Sequence, residues 1–274
     1  MGLCKFFRSE CIDAYSMIDF SLCRVTNEAL FARLFPRETP KYALVFLLPY
    51  FVSGIAPTIS RYAVAEDYHL YVKELGERMR EADETVLCVC ADHSPIDERD
   101  AAARAGLGVR GKNGLLIHPK YGSFCFVATA FLKGAPKDVL PTPGVAPRDC
   151  EDCGACRSAC PVGAFSGEGE CLSSLSQKKS LTEEELEILK KHRVLWGCDA
   201  CQDACPHNRA LPDTPVPFFR ENLIASLTGD VLDRLCLTGE FSRRAYAWRK
   251  EATIRRNLEN LEDFESKKDE ETRA

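Results

Sequence analysis

The sequence has no apolar run long enough to cross a bilayer. The longest one, Tyr42 to Val52, is interrupted by Pro49 and falls well short of the roughly 20 residues that a membrane-spanning helix needs. The N-terminal stretch MGLCKFFRSECIDAYS carries scattered charges and lacks the apolar core and small-residue cleavage site of a secretory signal. We therefore expect a cytoplasmic protein with no membrane partner.

An excess of positive charge is also missing, because the net charge is −5. This disfavours a protein that coats nucleic acid through charge alone. There is no G-x-G-x-x-G after a suitable strand and no Walker motif, which leaves nicotinamide chemistry and nucleotide hydrolysis without support. The four glycines between Gly106 and Gly114 suit a close approach of the backbone to a large flat or phosphorylated ligand.

Cysteine, by contrast, is abundant, with 15 residues among 274. In a reducing compartment so many cysteines indicate metal ligands rather than disulfides. Eight of them lie between Cys150 and Cys205. We expect the other seven to be small core residues without chemistry: Cys4, Cys11, Cys23, Cys88, Cys90, Cys125 and Cys236.

The eight clustered cysteines follow the spacing of bacterial ferredoxins. The first motif, C-x2-C-x2-C-x3-C-P, begins at Cys150, whereas the second, which begins at Cys198, lacks one of its four cysteines. Cys171 can supply the missing ligand. One 4Fe-4S cluster is then predicted on Cys150, Cys153, Cys156 and Cys205, and the other on Cys160, Cys171, Cys198 and Cys201.

Two zinc sites or a disulfide framework are the alternatives for these cysteines. The tight loop of three thiolates, with the fourth directed elsewhere, disfavours zinc. The missing secretion signal disfavours disulfides. Iron–sulfur clusters only transfer electrons, one at a time, so the protein needs an acceptor for them.

The rest of the chain alternates apolar, β-rich runs with helical segments, as an α/β sandwich does. Strands are predicted at 42–48, 85–90, 114–118 and 123–132, and helices around Tyr68 to Met79 and at 97–105. A third helix is predicted at 180–193, with Thr182 as N-cap and Glu185 as its capping-box partner.

A change in composition at residues 134–149, with four prolines and two glycines, marks a domain boundary. We expect an α+β chain in three consecutive parts. These are an α/β domain at 1–140, a ferredoxin-like domain with two clusters at 141–212, and a helical segment at 213–274 that ends in a solvated tail.

Asp92 lies where an α/β sheet commonly places its chemistry, directly after a predicted buried strand. Partial burial would raise its pKa and let it protonate a carbon centre that has just received electrons. From the spacing alone, the favoured alternative is that Asp92 caps the turn or helix that follows it.

Five stretches resemble the epoxyqueuosine reductases, which are cobalamin-dependent iron–sulfur enzymes related to the reductive dehalogenases. They are ISRYAVAEDYH (59–69), ADHSPIDERDAAARAGLGVRGKNGLLIHPKYGS (91–123), CEDCGACRSACPVGAF (150–165), ECLSSLS (170–176) and WGCDACQDACPHN (196–208). Their order and spacing match as well. A ferredoxin motif alone is generic, whereas its combination with the D-x-x-P…R…GLG…GKN block is specific.

This resemblance implies that a reduced corrinoid removes the epoxide oxygen of epoxyqueuosine in the tRNA anticodon loop, giving queuosine and water. Asp92 would be the proton donor. The first domain would hold cobalamin through the residues that match its lining positions: Asp97, Glu98, Arg99, Leu116 and Val127. The family's cluster ligation agrees with the pairing above, including Cys171. An external flavodoxin or ferredoxin system would supply the electrons.

Family members commonly continue into a C-terminal helical-repeat domain that helps to hold tRNA, at the point where this sequence has residues 241–262. We therefore expect a short form that lacks this domain. Two other functions stay open: a cobalamin-dependent reductase of another substrate, and a ferredoxin-type electron carrier without a corrinoid.

A basic run near the C-terminus has two interpretations. It comprises Arg243, Arg244, Arg249, Lys250, Arg255 and Arg256, interleaved with Tyr246 and Trp248. Such a pattern is typical of a surface that contacts phosphates and stacks a base. The alternative is a solvated helix face whose cations pair with neighbouring acidic residues.

Overall fold

The computed structural model describes residues 2–261, so the predicted solvated tail lies outside the described residues. The chain forms two compact units, each built from discontinuous segments. The first unit takes residues up to 52, 68–153 and 206–220, and the second takes 53–67, 154–205 and 221 onward. The consecutive boundaries at 140/141 and 212/213 stay a prediction.

The first unit is built on a five-stranded mixed sheet. Its strands are β1 (Tyr15–Asp19), β2 (Tyr42–Pro49), β3 (Val86–Ala91), β6 (Cys125–Leu132) and β7 (Pro141–Thr142), and the short strands β4 (Val109–Arg110) and β5 (Leu116–Ile117) form a separate pair. The order in the large sheet is β3-β6-β2-β1-β7. Neighbours are antiparallel except β1 and β7, which are parallel. All four predicted strands are confirmed.

Helices cover both faces of this sheet. They are α1 (Leu3–Ser9), α2 (Glu28–Leu34), α3 (Tyr68–Ala82) and α4 (Glu98–Arg104). On one face the alanines of α4 belong to the same core cluster as Val45 and Phe131, and on the other the ring of Phe7 packs against Phe46 at 5.2 Å. Strand β2 is therefore buried on both sides, which explains its unbroken apolar sequence.

The second unit is helical. It contains α5 (Ala155–Ser158), α6 (Leu172–Ser176), α7 (Glu183–Lys191), α8 (Ala200–Asp203) and α9 (Gly229–Thr238), and residues 251–261 are also helical. The predicted capping box of α7 is confirmed, because Thr182 and Glu185 each accept the other's backbone N–H. A core around Trp196 and Tyr246, both fully buried, holds the unit together.

Short 3-10 helices connect these elements. They lie at Phe20–Leu22, Arg61–Ala63, Pro206–Asn208, Pro217–Arg220, Glu240–Arg243 and Ala247–Arg249. Within residues 2–261, none of the helices combines the length and the apolar character needed to cross a membrane.

The prediction that the seven scattered cysteines are core residues is wrong for Cys11. This residue is exposed, and the other six are only half-buried. Cys11 follows the end of α1 with a φ of +57°, so it lies in a surface turn. The apolar residues near Cys11 in the sequence did not predict its exposure, because that exposure depends on where α1 ends.

Truncating the centre of the first core should destabilise the protein strongly. Phe131 is fully buried and packs on Phe35 and Phe20 with ring centroids at 5.2 and 6.0 Å. We expect Phe131→Ala to cost about 3–5 kcal/mol of unfolding free energy. The measurement is urea denaturation followed by circular dichroism, with Leu237→Ala at an exposed site as control. Equal midpoints for the two variants would contradict this core assignment.

Candidate functional site

The chain turns sharply after β3, and Asp92 is the residue at the turn. Its φ is +61°, in the left-handed region that aspartate tolerates better than most residues. The N–H of His93 donates to the carbonyl of Ala91 at 2.7 Å, and that of Ser94 to Asp92 at 3.0 Å. Asp92 itself is exposed, so the expectation of partial burial is wrong.

The residues after this turn are held by a neighbouring loop of the same unit. The amides of Thr26 and Asn27 both donate to the carbonyl of Pro95, at 2.9 and 3.1 Å. The carboxylate of Asp97 accepts the N–H of Asp100 at 3.1 Å and is the N-cap of α4. Asp97, and not Asp92, therefore caps the helix, which removes the helix-capping alternative for Asp92.

Glu98, the first residue of α4, places a second carboxyl group next to Asp92. Its Oε2 atom accepts the backbone N–H of Asp92 at 2.7 Å, and the residue is buried, with 9% of its surface exposed. Burial raises the pKa of Glu98 to about 8. The sequence predicts Glu98 only as a residue that lines cobalamin, because nothing in the local pattern shows that it is buried.

One cavity of about 570 Å³ gathers all six residues that the resemblance assigns to the first domain. They are Asp92, Asp97, Glu98, Arg99, Leu116 and Val127. A second cavity of about 560 Å³ shares Asp97, Arg99 and Leu115 with it and adds basic side chains such as Arg110 and Lys112. Binding of cobalamin by these residues stays a prediction.

The lining fits a large cofactor that is part apolar and part polar. Leu116 and Val127 offer apolar surface, and Oε1 of Glu98 is buried without a hydrogen-bond partner among the described residues. The volume lies within the range of small-molecule and cofactor sites. Sequence reasoning missed Tyr68 and Phe126, whose rings stack at 3.8 Å in the same cavity, because aromatic residues at such positions look like ordinary core.

The four cysteines predicted for one cluster, Cys160, Cys171, Cys198 and Cys201, all belong to the second unit. Burial raises the pKa of Cys198, and the charges of Cys171 and Cys160 raise it further. Burial raises the pKa of Cys201 to about 12, with contributions from Cys198 and Cys171. A positively charged cluster would relieve this repulsion, because thiolates bind metal in their deprotonated form.

Of the four cysteines predicted for the other cluster, Cys150 and Cys153 belong to the first unit and Cys156 and Cys205 to the second. Within residues 2–261, no three cysteine, histidine or acidic side chains already stand at metal-binding spacing. The ligand assignment stays a prediction.

A half-buried aspartate secures the loop that carries Cys198 and Cys201. Asp199 accepts the hydroxyl of Ser60 at 2.5 Å and the backbone N–H of Arg61 at 2.7 Å. The N–H of Ser60 donates to the carbonyl of Trp196 at 2.8 Å. Two of the stretches that carry the family resemblance, 59–69 and 196–208, thus meet directly in the second unit.

Gly197 explains why that loop needs a glycine. Its φ is +69°, and a Cβ atom there would lie 2.4 Å from the Cβ of Ser60. Any larger residue would push Ser60 away from Asp199, because the gap has no room for a methyl group.

The first half of the basic run is engaged within the second unit. Arg243 donates to both carboxylate oxygens of Glu66, at 2.8 and 2.5 Å. Arg244 is buried and donates to the carbonyl of Asn222 at 2.7 Å. These two cations hold the unit together and offer little charge to a ligand.

The last two arginines of the run also have partners within the chain. Arg255 pairs with Asp233 at 2.7 Å and with Glu251 at 2.5 Å. Arg256 donates to two backbone carbonyls, at 2.9 and 3.0 Å. These contacts favour the interpretation in which the arginines pair internally.

The two aromatic residues of the run differ in exposure. Tyr246 is fully buried, so the interpretation in which the run stacks a base does not hold for this residue. Trp248 is 58% exposed, and the guanidinium of Arg249 lies 3.8 Å from its ring centroid. Only Trp248 offers the ring that base stacking requires.

Comparison with known proteins agrees with the predicted cluster-binding domain and with the family resemblance. Residues 149–208 match the family described as a 4Fe-4S double cluster binding domain. The epoxyqueuosine reductase of Leadbetterella byssophila is 34% identical over 214 residues, which cover 73% of this chain and 68% of that protein. The enzyme of Listeria monocytogenes is 39% identical over 124 residues, which cover 43% of this chain and only 31% of the relative.

Solved structures share the fold. The chain is similar to the epoxyqueuosine reductase of Streptococcus thermophilus, with a TM-score of 0.69 at 21% identity, covering 94% of this chain and 79% of that one. An epoxyqueuosine reductase with an epoxyqueuosine-modified tRNA stem loop gives the same values.

The Bacillus subtilis enzyme, with its aspartate-bearing catalytic loop swung out of the active site, has a TM-score of 0.64 at 21% identity, with coverage of 94% and 79%. The extent and identity of the match to the Leadbetterella enzyme decide the family. The chain belongs to the epoxyqueuosine reductase family.

Proposed function

We propose that this protein reduces the epoxide of epoxyqueuosine in tRNA to queuosine, using two 4Fe-4S clusters and cobalamin. The observation that carries the proposal is the single cavity beside the Asp92 turn, which gathers every residue that the family resemblance assigns to the first domain. Family membership and the double-cluster match support it. A related enzyme has been seen with a modified tRNA stem loop.

The reaction sets the requirements for the site. An epoxide that becomes an alkene and water takes up two electrons and two protons, and both of its C–O bonds break. Iron–sulfur clusters deliver electrons singly, and cobalamin, when bound, supplies a reducing cobalt centre. In this chain Leu116 and Val127 would exclude water from the reacting face, while Asp97 and Arg99 would contact the polar edge of the cofactor.

Asp92 would supply a proton to the departing oxygen. The turn after β3 presents its carboxyl group at the surface of the cavity. General acid catalysis of this kind requires that the donor reach the oxygen within hydrogen-bond distance. The relative with its catalytic loop swung out indicates that such a loop can move, which suits a residue that must meet a bulky substrate.

The predicted cluster ligands and the electron donor complete the proposal. Electrons would enter from a flavodoxin or ferredoxin system and pass through the clusters. Contact with tRNA would rest on Trp248 rather than on Arg243, Arg244, Arg255 and Arg256, because those four arginines have partners within the chain. A cobalamin-dependent reductase of another substrate would use the same cavity, whereas a bare electron carrier would have no use for it.

Replacing Asp92 should abolish most of the activity. We expect Asp92→Asn to lower the rate of queuosine formation about 10²- to 10⁴-fold, the usual contribution of a positioned acid. The measurement is conversion of tRNA carrying epoxyqueuosine by the anaerobically reconstituted protein, with the exposed Asp230→Asn as the matched control.

Three other results would argue against parts of this proposal. Failure of the unmutated protein to convert the tRNA would exclude that substrate. Failure to bind cobalamin would favour the electron carrier. A fully active Asp92→Asn variant would exclude Asp92 as the donor.

Cys171 should be essential for one cluster only. With two 4Fe-4S clusters the reconstituted protein holds about eight iron atoms, and we expect Cys171→Ser to hold about four. Iron and sulfide analysis with paramagnetic resonance measures this, and Cys236→Ser, outside the motifs, should retain the full amount. Equal iron content in the two variants would contradict the assignment of Cys171.

A further inference from the structure

Strand β3 carries two thiols in contact with each other. Cys88 and Cys90 are two residues apart on the strand, so their side chains lie on the same face of the sheet. The S–H of Cys90 donates a hydrogen bond to the sulfur of Cys88. Both residues are half-buried, and neither is among the predicted cluster ligands. The pair therefore needs an explanation of its own.

A cavity of about 390 Å³ opens onto this pair. It lies at the edge of the large sheet, because β3 is the last strand in the sheet order. Residues of α2 and α3 line it together with both cysteines. The cavity beside Asp92 has a different set of lining residues. A small molecule can therefore reach the thiols without entering the Asp92 cavity.

The lining of this second site is rich in positive charge. It holds three permanent cations and one carboxylate, all of them exposed: Arg33, Lys73, Arg80 and Glu77. His69 and His93 are the other titratable groups besides the two cysteines. Such a surplus of positive charge attracts anions and repels metal cations. Within residues 2–261 there is also no set of three ligands at metal-binding spacing, so the pair suits an anionic reagent better than a metal ion.

The two thiols differ in acidity. The hydrogen bond from Cys90 lowers the pKa of Cys88, and the charge of Arg80 lowers it further, whereas burial raises it. The same hydrogen bond raises the pKa of Cys90, as does burial. The thiolate is the form that attacks a disulfide. Cys88 is therefore the attacking group, and Cys90 is the group that keeps its proton.

A disulfide between the two cysteines fits the strand with some strain. Residues i and i+2 of a strand lie about 6.6 Å apart at Cα, near the upper end of the usual disulfide range of about 4.4–6.8 Å. The register of β3 against β6 shifts between Val86 and Cys88, and such an irregularity lets an edge strand adjust its length. A strained disulfide is also easily reduced again.

We propose that Cys88 and Cys90 form a redox-active dithiol site, which exchanges with anionic small-molecule disulfides bound in the cavity at the edge of β3. The site goes beyond the proposed function. It requires neither cobalamin nor tRNA, and it makes chemically active two cysteines that the sequence predicts to be inert core residues.

The exchange takes place in two steps. The Cys88 thiolate attacks one sulfur of the small disulfide, whose S–S bond breaks, and the first small thiolate leaves with the electron pair. Cys90 then loses its proton and attacks the Cys88 sulfur of the mixed disulfide, which releases the second small thiolate. The two cysteines are oxidised by two electrons to a disulfide. The reagent is reduced to two thiols, which take up the two protons of the cysteines.

Thiol mapping of the anaerobically reconstituted protein tests the site. The probe is oxidised glutathione, an anionic disulfide, and the remaining thiols are alkylated before digestion and mass spectrometry. We expect the peptide that contains both cysteines to carry an internal disulfide. A peptide that keeps both thiols, or that stops at a mixed disulfide, would overturn the proposal. This measurement uses the unmutated chain, so it does not depend on whether a variant folds.

Three variants assign the roles within the pair. Cys90→Ser should accumulate the mixed disulfide on Cys88, whereas Cys88→Ser should leave Cys90 unmodified. The matched control is Cys23→Ser, at a half-buried cysteine whose pKa burial raises to about 12, and it should still form the internal disulfide. Accumulation of the mixed disulfide on Cys90 in Cys88→Ser would overturn the assignment of Cys88 as the attacking thiol.

The charge of the probe tests the role of the cations. Cystamine is a cationic disulfide, and the exposed Cys11 is a reference within the same sample. The ratio of the reaction rates at Cys88 and Cys11 should be about tenfold higher with oxidised glutathione than with cystamine. Added salt should reduce this preference, and so should Arg80→Gln. Equal ratios for the two probes would overturn the assignment of an anionic reagent.

Discussion

The hydrogen bond from the backbone of Asp92 to the buried carboxyl of Glu98 is the contact on which the site depends. Ala91 is the last residue of β3 in the sheet ladder, so the next amide needs a partner outside the sheet. Glu98 supplies that partner and holds Asp92 in a left-handed conformation that costs about 1 kcal/mol. A hydrogen bond stabilises a fold by about as much. The end of β3, the turn and the start of α4 are therefore held together with little net change in free energy.

This coupling gives two carboxyl groups six residues apart opposite surroundings. Asp92 is exposed at the turn after β3, whereas Glu98, at the start of α4, is buried. Enzymes that use two acids commonly separate their roles in this way, by environment rather than by residue type. The loop around Arg24 and Thr26 forms hydrogen bonds with Pro95 and Asp97. These contacts keep the carboxyl groups of Asp92 and Glu98 at the same cavity.

In the second unit, charged residues serve structure more than binding. Asp199 is half-buried and accepts hydrogen bonds from Ser60 and Arg61, which keeps the cysteine loop in place. Arg243 is likewise paired, with Glu66. A buried or paired charge stabilises a fold only when its hydrogen bonds are satisfied, and here the partners are distant in sequence. A cluster of basic residues in the sequence is therefore a poor guide to the charge that the surface offers a ligand.

Local patterns by themselves determined a large part of this protein. The ferredoxin spacing, strand β2, and the capping box at Thr182 and Glu185 were all predictable, because each depends on neighbours within a few residues. Strand β1 and helices α1 and α2 were missed, since their short segments are stabilised mainly by packing. Only the tertiary structure decided that Asp92 is exposed and Glu98 buried, because burial depends on how α4 packs against distant strands and not on the residues beside it.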